Sequence, residues 1–150
     1  MAVERRLTWQ EVEATAASLC RRLAGDGPWH GVVAVARGGL VPAALVARGL
    51  GLRLVDTLCL ASYDGRRRGQ LDVVKIPESA TTEGGEGWLV VDDLVDSGAT
   101  ARKVRQLLPR ARIAVLYSKP DGRGMADVWG EEVAQGIWLV FPWETAKLER

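Results

Sequence analysis

Trp88-Leu89-Val90-Val91-Asp92-Asp93-Leu94-Val95-Asp96-Ser97-Gly98-Ala99-Thr100 decides how the chain is read. The apolar run Trp88 to Val91 makes a short strand suited to burial on both faces, as in a parallel sheet. Thr100 to Leu108 then carries helical spacing up to Pro109, which cannot continue a helix. A strand that leads into a helix presents backbone N–H groups and the positive end of the helix macrodipole, and a phosphate belongs there. Ser97 and Thr100 add hydroxyl donors, while Gly98 and Ala99 allow close approach to the backbone. Asp92, Asp93 and Asp96 would repel the same phosphate unless they faced sugar hydroxyls, a metal ion or a base. A ligand with phosphate at one end and hydroxyls plus metal at the other satisfies both halves of the segment.

The same alternation extends outward. Gly31 to Ala36 is another wholly apolar run, ending at Arg37-Gly38-Gly39; a helix is expected from near Leu40, with Pro42 in its first turn, to Gly49 or Gly51. Upstream, Thr8-Trp9-Gln10-Glu11 has the form of a capping box, and Trp9, Val12, Ala16, Leu19 and Leu23 follow at helical spacing toward a stop at Gly25. Leu54 to Ala61 and Leu71 to Ile76 read as strands separated by the arginine-rich segment Asp64 to Gln70, a hairpin tip or flap. Pro77 to Gly87 reads as a polar loop and Ile113 to Tyr117 as a strand. Strands alternating with helices predict one α/β domain with a mainly parallel sheet, where ligands bind beyond the carboxyl ends of the strands. The candidates there are Arg37-Gly38-Gly39, Asp92 to Thr100, and Ser118-Lys119-Pro120.

Composition agrees. At 150 residues, 47% hydrophobic and 26% charged, the chain suits one globular domain and not a disordered, collagen-like or coiled-coil protein. Its 20 basic and 19 acidic residues leave a net charge of +1, which removes the case for wholesale nucleic-acid binding. Cys20 and Cys59 stand far apart, outside any metal or disulfide pattern, which favours a reduced, cytoplasmic setting. The residues from Met1 to Arg6 carry no apolar signal region, and Arg48 and Arg53 interrupt the longest hydrophobic stretch. No transmembrane segment is expected, so any membrane association would be peripheral. His30 has no evident partner and receives no role.

The segment Asp92 to Thr100 resembles the 5-phosphoribosyl-1-pyrophosphate signature of the type I phosphoribosyltransferases: apolar residues, two acids, two apolar residues, Asp, then Ser/Thr-Gly-x-Thr. Along nearly the whole chain the resemblance is to the bacterial xanthine-guanine phosphoribosyltransferases. It is carried further by Val35-Ala36-Arg37-Gly38-Gly39-Leu40-Val41-Pro42, Asp56-Thr57, Ser62-Tyr63-Asp64, Lys119-Pro120, Trp138 and Pro142-Trp143. Ala99 stands where a second glycine is typical, and the tail after Trp143 is shorter and differently composed. The resemblance implies an α/β type I fold with a mainly parallel central sheet flanked by helices, a mobile flap and a small base-binding hood. One domain would cover residues 1–150, its core at about 1–118 and its hood at about 119–150. The implied reaction transfers the 5-phosphoribosyl group from 5-phosphoribosyl-1-pyrophosphate to N9 of a 6-oxopurine (guanine, xanthine or hypoxanthine). It releases pyrophosphate and forms a nucleoside 5′-monophosphate in purine salvage. Mg2+ as cofactor, no nucleic-acid partner, and a cytoplasmic homo-oligomer, tetramer or dimer, are implied with it.

Residue roles follow from the same resemblance. Arg37, Gly38 and Gly39 would bind the pyrophosphate, in a loop that often carries a non-proline cis peptide, here Ala36–Arg37. Asp92, Asp93, Asp96, Ser97, Gly98, Ala99 and Thr100 would hold the ribose and 5′-phosphate, with Asp93 toward the metal and Asp92 on the ribose hydroxyls. Asp96, nearest the base, would be the catalytic proton acceptor. Lys119 would donate to the purine 6-oxo group, Trp138 would stack on the ring, and the main-chain carbonyls of Trp138 and Leu139 would meet the group at C2. Ser62 and Tyr63 would head a flap, tipped by Arg66, Arg67 and Arg68, that excludes water from the reacting centre.

Plainer readings stand beside these: an exposed turn arginine at Arg37, a solvated Lys119, a core Trp138, and a solvated turn at the three arginines. Two other functions share features. A phosphoryl-accepting receiver domain places its acidic pair after the first strand, whereas here the pair comes after residue 90. A non-catalytic, nucleotide-sensing regulator of the same fold calls for a basic face or an added DNA-binding domain, and a +1 chain of this length offers little of either.

Overall fold

The valine-rich run at residues 31–36 lies at the centre of the computed structural model, which describes residues 2–62 and 70–144. As strand β2 (Gly31–Ala36) it is buried on both sides. Val32 and Ala34 enter the core shared with helices α1 (Trp9–Leu23) and α2 (Leu40–Leu50). Val33 and Val35 enter the opposite core, beneath α3 (Ala99–Leu107). Alternate residues thus face different apolar layers, which is why the strand reads as unbroken hydrophobic sequence.

Around it lie β3 (Val55–Ser62), β4 (Leu71–Lys75), β5 (Trp88–Val95), β6 (Arg112–Ser118) and β7 (Val128–Glu132), in the order β4-β3-β2-β5-β6-β7. Only the β3–β4 pair is antiparallel. A second, two-stranded parallel sheet joins β1 (Val3–Arg6) to β8 (Ile137–Val140), with Glu4 opposite Trp138 and Arg5 opposite Leu139. The N-terminal segment therefore supplies a strand to the small sheet. Arg5 ties that sheet to the core through Glu131 of β7 at 2.7 Å and Glu11 of α1 at 3.5 Å.

Several element ends are set by identifiable contacts. The capping box is complete: Glu11 N–H donates to Thr8 Oγ1 at 3.1 Å, and Thr8 N–H donates to Glu11 Oε2 at 2.8 Å. Strand β5 runs past Val91 to Val95, because Leu94 and Val95 still pair with Tyr117 and Ser118 of β6. The acidic pair therefore sits inside a strand end. The loop at 77–87 holds two short 3-10 turns, and Asp56 of β3 pins the first of them. Its carboxylate accepts from Lys75 Nζ and Thr57 N–H, and from the Ser79 hydroxyl and N–H. Burial pushes the Asp56 carboxyl up, but these hydrogen bonds outweigh it and hold the group well below the usual carboxylate range. Among the described residues no helix is long and apolar enough to cross a membrane.

Candidate active site

From β2 the chain passes to β3 on one side, and from β5 to β6 on the other, so a crevice opens between the carboxyl ends of β2 and β5. Arg37-Gly38-Gly39 forms one lip and Asp92-Asp93 the other. The lips touch: a Cβ at Gly38 would stand 2.6 Å from Asp93 Oδ2, and one at Gly39 would run into the carbonyl oxygens of Val91 and Val35. Only glycine allows this approach. The Ala36–Arg37 peptide is cis, as the resemblance implied, and Arg37 is exposed.

Asp92 and Asp93 are partly buried, with Asp93 N–H donating to Asp92 Oδ1 at 2.8 Å. Among the described residues neither forms an ion pair with a cation. Burial raises both carboxyls above the usual range, Asp92 far above it, with the charge on Asp93 adding to the rise at Asp92. Glu144 adds to the rise at Asp93. The sequence reading missed Glu144; an acid directly after Pro142-Trp143 was its only local signal. It lies in a single 3-10 turn, where its Oε2 accepts from Phe141 N–H at 2.9 Å.

The start of α3 contrasts with that of α1. Its N-cap is Gly98, at φ 88°, and no side chain caps it. Ala99 N–H reaches Ser97 Oγ only at 3.4 Å, so the first turn keeps donors for a ligand. A cavity of about 110 Å³ opens here, lined by Asp92 and residues 96–100 and by apolar residues including Val35, Val90, Val104 and Ile113. Lys119, just past β6, is 3% exposed and directs Nζ toward Asp96 Oδ2 at 3.4 Å. It is therefore no solvated surface lysine.

Asp96 also accepts a 2.6 Å hydrogen bond from Gln135 Nε2, a residue the sequence reading missed and one 39 positions away, with no local signal. Trp138 is 61% exposed, which removes the core reading of that ring, while Leu139 is buried. Both lie on β8, whose connection to Asp96 runs through Gln135. Ser62 ends β3 opposite Leu71; Tyr63 and Arg66 to Arg68 fall outside the described residues.

The phosphoribosyl transferase domain family matches this chain over residues 4–150. The chain belongs to that family. It is 46% identical over 140 residues to the xanthine-guanine phosphoribosyltransferase of Nitratidesulfovibrio vulgaris (strain DP4), covering 93% of this chain and 83% of the relative. The enzyme of the same description from Chromohalobacter salexigens is 46% identical over 138 residues, 92% of this chain and 82% of the relative. Among solved structures, the purine phosphoribosyltransferase of Pyrococcus horikoshii Ot3 matches with a TM-score of 0.82 at 25% identity, covering 98% of both chains. The xanthine-guanine-hypoxanthine phosphoribosyltransferase of Helicobacter pylori has the same fold, with a TM-score of 0.76 at 24% identity and coverage of 95% and 94%. The protein is thus an enzyme, a phosphoribosyltransferase and hence a glycosyltransferase, and its sheet with helices on both faces is the type I fold of that family.

Proposed function

We propose that this phosphoribosyltransferase moves the 5-phosphoribosyl group from 5-phosphoribosyl-1-pyrophosphate to N9 of a 6-oxopurine (guanine, xanthine or hypoxanthine) in purine salvage. The observation that carries the reading is 46% identity over 93% of the chain to a xanthine-guanine phosphoribosyltransferase. In the reaction, the N9 lone pair bonds to C1 of the sugar while the C1–O bond breaks and its electrons leave with pyrophosphate. The purine's proton near N7 passes to Asp96, which leaves the ring of the product nucleoside monophosphate uncharged. Bond breaking leads, so the sugar becomes cationic and the protein acts mainly by position and charge.

The 5′-phosphate rests on the uncapped start of α3, with the Ser97 and Thr100 hydroxyls and the backbone of Gly98 and Ala99 around it. Arg37 and the amides of Gly38 and Gly39 take the pyrophosphate. The purine stacks on Trp138, offers its C2 group to the carbonyls of Trp138 and Leu139, and accepts from Lys119 at its 6-oxo group. Ser62, at the end of β3, leads into the segment assigned to the flap that would shield the site. Asp92 and Asp93 fit Mg2+: they are hard oxygen donors that burial holds above the usual carboxylate range, a strain that a divalent cation relieves. Asp93 would hold the metal, with Asp92 on the ribose hydroxyls, and a bound Mg2+ would supply positive charge to stabilise the leaving pyrophosphate.

The enzyme works in the cytoplasm as a homo-oligomer, a dimer or tetramer. Exposed Leu40, Leu54, Val55, Val74 and Ile76 supply apolar surface for such contacts. Pyrophosphate release measured with each purine base in turn tests the reading. Release with guanine, xanthine or hypoxanthine, abolished by excess chelator and restored by magnesium, is expected. No release with any 6-oxopurine, or full activity in chelator, refutes it.

A further inference from the structure

Asp96 does not project freely into the crevice. Gln135, between β7 and β8, donates from Nε2 to Asp96 Oδ1 at 2.6 Å and accepts at Oε1 from Asp121 N–H at 2.9 Å. The second bond determines the first: with the amide oxygen held by a backbone donor, only the NH2 end can face Asp96. Lys119 Nζ approaches the other carboxylate oxygen at 3.4 Å, near the limit for a hydrogen bond. Asp121 belongs to the 3-10 turn that follows Lys119, so one amide side chain links the segment after β6, the segment before β8 and the Asp96 carboxylate.

These contacts fare differently when a purine arrives. Lys119 turns its ammonium to the 6-oxo group and gives up its weak contact with Asp96. Gln135 has hydrogen bonds only to Asp121 and Asp96 among the described residues, so its bond to Oδ1 need not be given up to a base. We propose that Gln135 is a positioning residue for phosphoribosyl transfer, holding the Asp96 carboxylate so that Oδ2 faces the base proton once Lys119 has moved to the purine. The proposal rests on the reading of Asp96 as proton acceptor. An amide suits the task because it orients a carboxylate without placing a second cation beside it. Gln135 also lies three residues before Trp138, so one stretch of chain sets both the stacking platform and the direction of Asp96.

Single-turnover rates with guanine and saturating 5-phosphoribosyl-1-pyrophosphate, measured on the parent, Gln135→Ala, Asp96→Asn and the double variant, test this. Gln135→Ala should lower the rate by about tenfold, change the guanine KM by less than about twofold and leave Tm unchanged. Added to Asp96→Asn, it should cost nothing further, since a residue that acts only through Asp96 has no target left. Gln135→Glu keeps the length but loses the donor and repels Asp96, and should be at least as slow as Gln135→Ala. An equal loss in both backgrounds, an effect confined to KM, or a full-rate Gln135→Ala overturns the proposal. The starting reading fails separately: Asp96→Asn at full rate removes Asp96 as proton acceptor, and the proposal falls with it. A slow Asp96→Asn beside a full-rate Gln135→Ala leaves that reading intact and refutes only the role of Gln135.

Discussion

Replacing Lys119 by methionine should separate base recognition from stability. The lysine side chain is 4% exposed, so its ammonium has surrendered nearly all its water, and its carboxylate partner stands 3.4 Å away. A buried cation with so weak a partner contributes little to folding, and an apolar chain of similar length should leave Tm unchanged or raise it. Toward the substrate the balance differs. A hydrogen bond from a charged donor to the 6-oxo group contributes roughly 1.5 to 3 kcal/mol. With about 1.4 kcal/mol for each factor of ten, guanine kcat/KM should fall by roughly 10- to 150-fold. Adenine offers an amino group to a lysine that can only donate, has no favourable bond to lose, and should be used as poorly as before or somewhat better. The guanine-to-adenine ratio should therefore collapse by about the factor lost on guanine. The assay is kcat/KM for guanine, hypoxanthine and adenine in parent and variant, with thermal unfolding as the control. A parent that uses adenine as well as guanine, or a variant that keeps the parental ratio, would show that the 6-position is read elsewhere.

Trp138→Ala should weaken guanine, xanthine and hypoxanthine alike, by roughly 5- to 150-fold for a lost stacking contact of about 1 to 3 kcal/mol. Because the ring is 61% exposed, Tm should hardly move, and a large drop in Tm would return Trp138 to the core. Gly38→Ala places a methyl group 2.6 Å from Asp93 Oδ2 and 2.9 Å from its Cγ, so the Asp93 side chain must shift as a whole; because no backbone stands in the way, the fold should survive while the magnesium concentration for half-maximal rate rises. Gly39→Ala meets backbone carbonyls instead and should cost about 2 kcal/mol or more of stability; equal effects of the two substitutions on urea unfolding would contradict the packing described. Asp56→Asn should destabilise by about 1 to 2 kcal/mol at pH 7 through lost charge-assisted hydrogen bonds. Because the folded carboxyl lies below its unfolded value, that contribution is present above about pH 4 and fades as pH falls further; unfolding curves whose gap persists undiminished at pH 2 would refute this.

What the sequence determined by itself is local. The strand, acidic pair and helix start at residues 88–100 are neighbours in the chain, and neighbours alone set their backbone preferences and the spacing of their chemistry. The continuous apolar character of residues 31–36 likewise announced a strand covered on both faces. Tertiary structure decided the rest. Val3-Glu4-Arg5-Arg6 has no apolar alternation and becomes a strand only because β8 lends it a hydrogen-bonding edge and Glu131 and Glu11 hold Arg5. Strand β5 outruns its apolar stretch because β6 continues to pair with it. Gln135 and Glu144 reach the acidic residues from far along the chain, after two further strands have been placed for Gln135 and three for Glu144. Such contacts require closing long loops, an entropic cost offset only when a whole sheet packs, and no short window of sequence carries that balance.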